Sequence, residues 1–117
     1  MENNKIDVIH SVLDDIGLPM HYNGYNYIAK LIELKIDEPD AKIMQMYKRV
    51  AAELGVKYGA IERSVRHAIH VLLENAEASN IHKYFGNSYF LTGIITNKQF
   101  VYTLAFRCNK ILGGNNA

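Results

Sequence analysis

Cysteine is nearly missing from this chain: Cys108 is the single one in 117 residues. An internal disulfide is therefore excluded, and Cys108 falls in an apolar helical pattern where a buried thiol is ordinary. Long apolar runs are lacking too. The longest stretches, such as residues 88–96, are far too short to cross a bilayer, and Met1-Glu2-Asn3-Asn4-Lys5 is not a basic region leading into an apolar one. Neither insertion nor export is indicated, which leaves the cytoplasm as the expected location. Low-complexity sequence is missing as well. With 21% charged and 49% hydrophobic residues, the chain suits a folded domain over a disordered one, and its length fits one domain, residues 1–117, around a single core.

The constellations that carry catalysis are also lacking. Cys108 has no neighbouring base, the acids Asp14, Asp15, Asp37 and Asp40 resemble a solvated face, and no glycine-rich phosphate loop follows a strand. Nothing assembles nucleophile, base and oxyanion donors, so neither an enzyme nor a cofactor is expected. His67, His70 and Glu74 lie on adjoining turns of one helix, but no second cluster of cysteine or histidine completes four ligands, so no metal site is read.

A large excess of basic residues is the last absence, since the net charge is only +1. Taken alone this speaks against nucleic acid, yet the charge is unevenly distributed. Residues 1–40 hold three lysines against eight acids, a net of −5; residues 41–75 hold six basic residues against three acids, +3; residues 76–117 hold four against one, +3. The molecule is expected to be electrically polar, with its middle and end suited to phosphate.

What the sequence does carry is helical periodicity. Ile6, Ile9, Leu13 and Ile16 recur at three- and four-residue steps behind Asn4, a possible cap, and Gly17, Leu18 and Pro19 close that helix. After the turn-like Asn23-Gly24, a second helix with Tyr25, Ile28, Leu31 and Ile32 runs to about Lys35. Pro39, among Asp37, Glu38 and Asp40, reads as the start of a third, with Ile43, Tyr47, Val50, Ala51 and Leu54 ending at Gly55. A fourth, from about Tyr58 to Asn75, carries Ile61, Val65, Ala68, Ile69 and Leu72. Residues 80–85 form one short helical turn ended by Gly86, residues 88–95 read as an ordered loop, and Thr96 with Gln99 has the spacing of a capping box opening a last helix that frays over residues 113–116. The fold class expected is all-α: a compact bundle of about six helices.

Within it, the third and fourth helices match a helix-turn-helix. Ala51 is the small residue where the second helix crosses, Gly55 is the glycine of the turn, and Val50, Leu54, Val56 and Ile61 take the apolar offsets, while Ser64 falls where an apolar residue is usual. On the fourth helix Glu62, Arg63, Arg66, His67 and His70 share the face opposite Val65, Ala68 and Leu72. Arginine can bond guanine O6 and N7 together and glutamate can accept from the cytosine amino group, which makes this a face for reading base edges in double-stranded DNA. Lys48, Arg49 and Lys57 on its flanks suit phosphates. The plainer reading of the same residues is a solvated helix face with a Glu62–Arg66 i,i+4 pair. The tyrosines Tyr22, Tyr25, Tyr27 and Tyr47 read as a packed cluster, and His21 as a structural hydrogen-bonding residue. A helical adaptor that binds a basic protein through the acidic N-terminal half is the alternative function.

The segment Ile61-Glu62-Arg63-Ser64-Val65-Arg66-His67-Ala68-Ile69-His70 resembles the recognition helix of the C-terminal effector domain of the master sporulation response regulator of spore-forming Firmicutes. Three further blocks agree in order and spacing: Ile16-Gly17-Leu18-Pro19-Met20-His21 with Gly24-Tyr25-Asn26-Tyr27, Phe85-Gly86, and Thr96-Asn97 with Phe100-Val101. The similarity covers nearly the whole chain. It implies a six-helix domain that binds a short guanine-containing promoter box and regulates transcription, with Glu62, Arg63 and Arg66 in the base-reading set and His67 in the same run. It also implies a sigma factor of RNA polymerase as a partner. A lone domain of this size covers about one short site, and the last helix, with Phe100, Val101, Leu104, Phe106 and Ile111, offers more apolar residues than one buried face needs, so a monomer or weak dimer that pairs on DNA is expected. The chain departs from the family at Lys57 and Gly59, which replace small hydroxyl residues near the start of the recognition helix and weaken its cap. Lys48 replaces a proline, which lets the preceding helix run unbroken from Pro39 to Leu54. The glycine-rich end lacks the family's basic tail. The resemblance is to the effector part without its receiver domain, which leaves an excised domain and a stand-alone paralogue as two readings.

Overall fold

The computed structural model describes residues 2–87 and 93–114. Among these residues six helices follow in order, with no strand: α1 (Glu2–Ile16), α2 (Asn23–Asp37), α3 (Ile43–Leu54), α4 (Tyr58–Asn75), α5 (Ala78–Phe85) and α6 (Asn97–Gly114). α2 lies at the centre and packs on α1, α3, α4 and α6. The apolar stripes meet there: Leu13 and Ile16 of α1, Ile28, Leu31 and Ile32 of α2, Val65 and Leu72 of α4, and Phe100, Leu104 and Cys108 of α6 are all buried in one cluster. Full burial of each large aliphatic side chain is worth about 1.5–3 kcal/mol, enough to hold helices that would be marginal alone. No described helix is long and apolar enough to cross a membrane.

Glycine ends two of these helices through the left-handed conformation. Gly17 (φ 93°) lets the Leu18 N–H reach the Leu13 carbonyl at 3.0 Å, and Gly55 (φ 71°) lets the Val56 N–H reach the Ala51 carbonyl at 3.0 Å. Both were expected from the sequence. So was the Thr96–Gln99 box, in which the Thr96 N–H donates to Gln99 Oε1 at 2.9 Å and the Gln99 N–H to Thr96 Oγ1 at 3.1 Å. Lys57, at the start of α4, makes no side-chain cap bond, in keeping with the loss of a hydroxyl residue.

Other boundaries differ from the sequence reading. α1 already includes Asn4, which is therefore no cap; the apolar repeat marks the buried face but not where the helix begins. Asn23-Gly24 is not a turn before α2 but its first two residues, and α2 runs on to Asp37. α3 is unbroken at Lys48 but begins at Ile43, not Pro39. The Lys35 ammonium donates to the carbonyls of Pro39 (2.6 Å) and Ala41 (2.8 Å), holding residues 38–42 as a loop, and the same Nζ lies 4.1 Å from the centre of the Tyr102 ring. Leu54 and Val56 are not core residues: 39% and 38% exposed, they form a rim at the turn. α5 starts at Ala78, two residues before the expected turn. Of the loop read over 88–95, residues 88–92 lie outside the described residues, and Ile95 is buried. α6 retains Gly113 and Gly114, where fraying was expected; Asn115 and Asn116 lie outside the described residues.

The tyrosines do not form one cluster. The buried Tyr25 donates its hydroxyl to Asp14 at 2.8 Å, Tyr22 sits under His67, Tyr27 lines a groove beside α1, and Tyr47 meets Asn97. His21 is exposed, its ring 4.5 Å from that of Tyr22.

Candidate nucleic-acid interface

α4 divides its residues between two opposite faces. Ile61, Val65, Ala68, Ile69 and Leu72 are buried against the rest of the bundle, which turns Arg63, Arg66, His67 and His70 to solvent, with Glu62 half-buried at the edge. Two close approaches set how α4 sits. Ala51 of α3 is buried at the crossing. Gly24 of α2 is pressed against α4 so tightly that a Cβ placed there would lie 2.5 Å from the Ser64 carbonyl oxygen and 2.6 Å from the Ala68 Cβ. Ser64, read as a mismatch at an apolar offset, thus stands where backbone and not side chain makes the contact.

The exposed face has two unlike flanks. On one, Arg63 joins Lys48, Lys57 and Tyr58 around a concavity of about 520 Å³ that no carboxylate lines. A Cβ at Gly59 would come within 3.2 Å of Arg63 Nη1, so the guanidinium lies close over this glycine. The Lys48 ammonium lies 5.7 Å from the centre of the Tyr58 ring. On the other flank Arg66 is ion-paired with Glu62, one turn earlier, and both border a second concavity of about 540 Å³ with His70 and Lys98. An exposed i,i+4 pair is worth only a few tenths of a kcal/mol. So weak a pair holds Arg66 in position and leaves its guanidinium available to a stronger acceptor.

The remaining expected site residues fall around this frame. The exposed His67 stacks edge-on against Tyr22, with ring centres 5.6 Å apart. His70 Nε2 lies 3.4 Å from Glu74 Oε1, and no group of three or more His, Cys, Asp or Glu able to hold a metal occurs among the described residues. Arg49 is not brought to the others: its guanidinium pairs with Glu38 at 2.6 Å, and it borders a different concavity with the acids of α2. Two residues at the interface escaped the sequence reading. Tyr58, 48% exposed between Lys48 and Arg63, stands out only once α3 and α4 are crossed. Asn97 reaches the Glu62 carbonyl from 35 residues away.

An all-helical bundle in which two helices cross at a left-handed glycine, the second showing a charged outer face, belongs to the helix-turn-helix class. The family described as the sporulation initiation factor Spo0A C-terminal domain matches residues 9–108. The chain belongs to this family of effector domains of sporulation regulators, which are generally DNA-binding and are regulatory domains, not enzymes.

Proposed function

We propose that this protein binds double-stranded DNA sequence-specifically and regulates transcription, with α4 in the major groove. Glu62, Arg63, Arg66 and His67 read base edges; Lys48, Lys57 and the Tyr58 hydroxyl hold phosphates, with Arg49 joining them only if it leaves Glu38. The observation that carries this reading is the acid-free Lys48–Lys57–Arg63 flank beside the exposed face of α4, because a surface of merely solvated ion pairs has no need to gather three cations. Residues 1–117 act as one binding unit in the cytoplasm. The body measures 36 × 36 × 26 Å, comparable with the 34–36 Å of one duplex turn, so monomers on boxes one turn apart would be neighbours on one side of the DNA. We therefore expect a monomer or weak dimer that pairs on two adjacent boxes and, as a further partner, a sigma factor of RNA polymerase.

The test is a titration of one-box, two-box and scrambled duplexes at two salt concentrations, beside sedimentation of the free protein. Binding should be tighter on boxes, cooperative on two, and weaken steeply with salt as counterions are released. Failure to bind any duplex at low salt would transfer the function to a second reading, a protein adaptor. That reading draws on the acidic N-terminal half, residues 1–40, whose net charge of −5 suits a basic partner.

A further inference from the structure

Asn97 is the first residue of α6, set in place by the Thr96–Gln99 box and by Phe100 and Val101, which are fully buried just after it. Its side-chain nitrogen makes two hydrogen bonds to two different helices, to the Glu62 carbonyl of α4 at 3.0 Å and to the Tyr47 hydroxyl of α3 at 3.1 Å. A carbonyl can only accept, so it is the amide nitrogen that must face Glu62. The Glu62 carbonyl thereby takes a second donor beyond the α-helical one from Arg66. Tyr47 lies two turns back from the end of α3, and Glu62 one turn into α4. Gly55 joins these helices at their near ends, and the amide joins them again at a distance from that hinge. Three fixed points define an angle where one does not.

We propose that Asn97 is a positioning residue that sets the crossing angle of α3 and α4, and with it the pose of Arg63 and Arg66 toward base edges. This rests on the DNA-binding reading above. A small rotation of α4 displaces the ends of its arginines by more than its axis, and bidentate base contacts fail with such displacement, whereas phosphate contacts by flexible lysines adjust. Asn97 thus acts on specificity and not on charge. Burial pushes the Tyr47 hydroxyl above the usual tyrosine range, so it stays protonated and neutral against the amide throughout the working pH range.

Asn97→Asp is the discriminating variant. It keeps the volume, removes both N–H donors, and places a carboxylate at a helix start, where the dipole favours it. The expected result is a loss of about tenfold or more on the cognate box, less than about threefold on scrambled duplex at low salt, and a Tm within about 5 °C of the parent. Asn97→Ala should behave alike, and Tyr47→Phe combined with it should add less than the two losses separately. Equal losses on both duplexes, or none on the cognate box, would overturn the proposal. An independent measurement is the ¹⁵N–¹H spectrum without DNA, in which Asn97→Asp should shift the amides of residues 62–66 and of α3 around Tyr47. An unmoved spectrum refutes the strut. A parent protein that binds no duplex refutes the DNA-binding reading, and the strut then stands or falls on the spectrum alone.

Discussion

The Lys48–Lys57–Arg63 flank of α4 and its Glu62–Arg66 flank each present an arginine on the face proposed to enter the major groove, yet they are prepared differently. In the first, three cations converge with no acid beside them, so the unbound protein carries local repulsion that a phosphate relieves. In the second, the arginine already has a carboxylate partner and exchanges one hydrogen-bonding acceptor for another on binding. The first flank is thus suited to attraction at a distance and is sensitive to salt; the second is suited to choice between bases and is less so. On the proposed reading, binding strength and selectivity are separable on one helix.

The harshest way to break this division is to move α4 as a whole. Gly24→Ala would drive a methyl group into the Ser64 backbone and Ala68, and overpacking of this kind costs about 1–3 kcal/mol. Both flanks should fail together, with lower Tm and weaker binding to all DNA. Replacing Arg63 or Arg66 by Ala should each cost about 1–3 kcal/mol on the cognate box. Only Arg63→Ala should also weaken scrambled duplex and flatten the salt dependence, and identical behaviour of the two would erase the distinction between flanks. Gly55→Val, at φ 71° with open space around the position, should cost about 1–2 kcal/mol through backbone strain alone. An unchanged melting temperature would contradict this. In stability the smallest effect is expected of Glu62→Gln, a few tenths of a kcal/mol; scrambled DNA should bind slightly better with Arg66 freed, while the cognate box should bind more weakly through loss of the base contact proposed for Glu62. Cys108 reports on all five variants. Burial pushes its thiol up to about 11, so alkylation at pH 8 should be slow in the native protein and accelerate only in variants that open the core, which Gly24→Ala should do and Glu62→Gln should not.

Much of the architecture follows from local pattern. The bounds of α4 are legible because its apolar period is uninterrupted and Gly55 precedes it, and the outer face is legible by subtraction from the buried one. Pro39 misleads because its fitness for a helix start is outweighed by Lys35, whose ammonium ties up the carbonyls of the loop from the preceding helix. Arg49 reads as a phosphate ligand by its neighbour Lys48, but on a helix adjacent residues point about 100° apart, and its direction leads to Glu38. Gly24 and Asn97 could not be assigned from spacing, because a turn-like glycine and a capping-box neighbour have sufficient local explanations. What they do is decided by α4, about 40 residues further on in one case and 35 back in the other.

The bond from Asn97 ends on the backbone of Glu62 and not on its carboxylate. Gly24 likewise meets the backbone of Ser64. The contacts that aim the helix are therefore indifferent to which side chains stand on its outer face, and the core beneath them takes nothing from that face. On the proposed reading, positions 62, 63, 66 and 67 are a reading head on a fixed mount, and in a duplicated copy of this protein substitutions there should change the preferred target while leaving the fold and the aim of α4 in place.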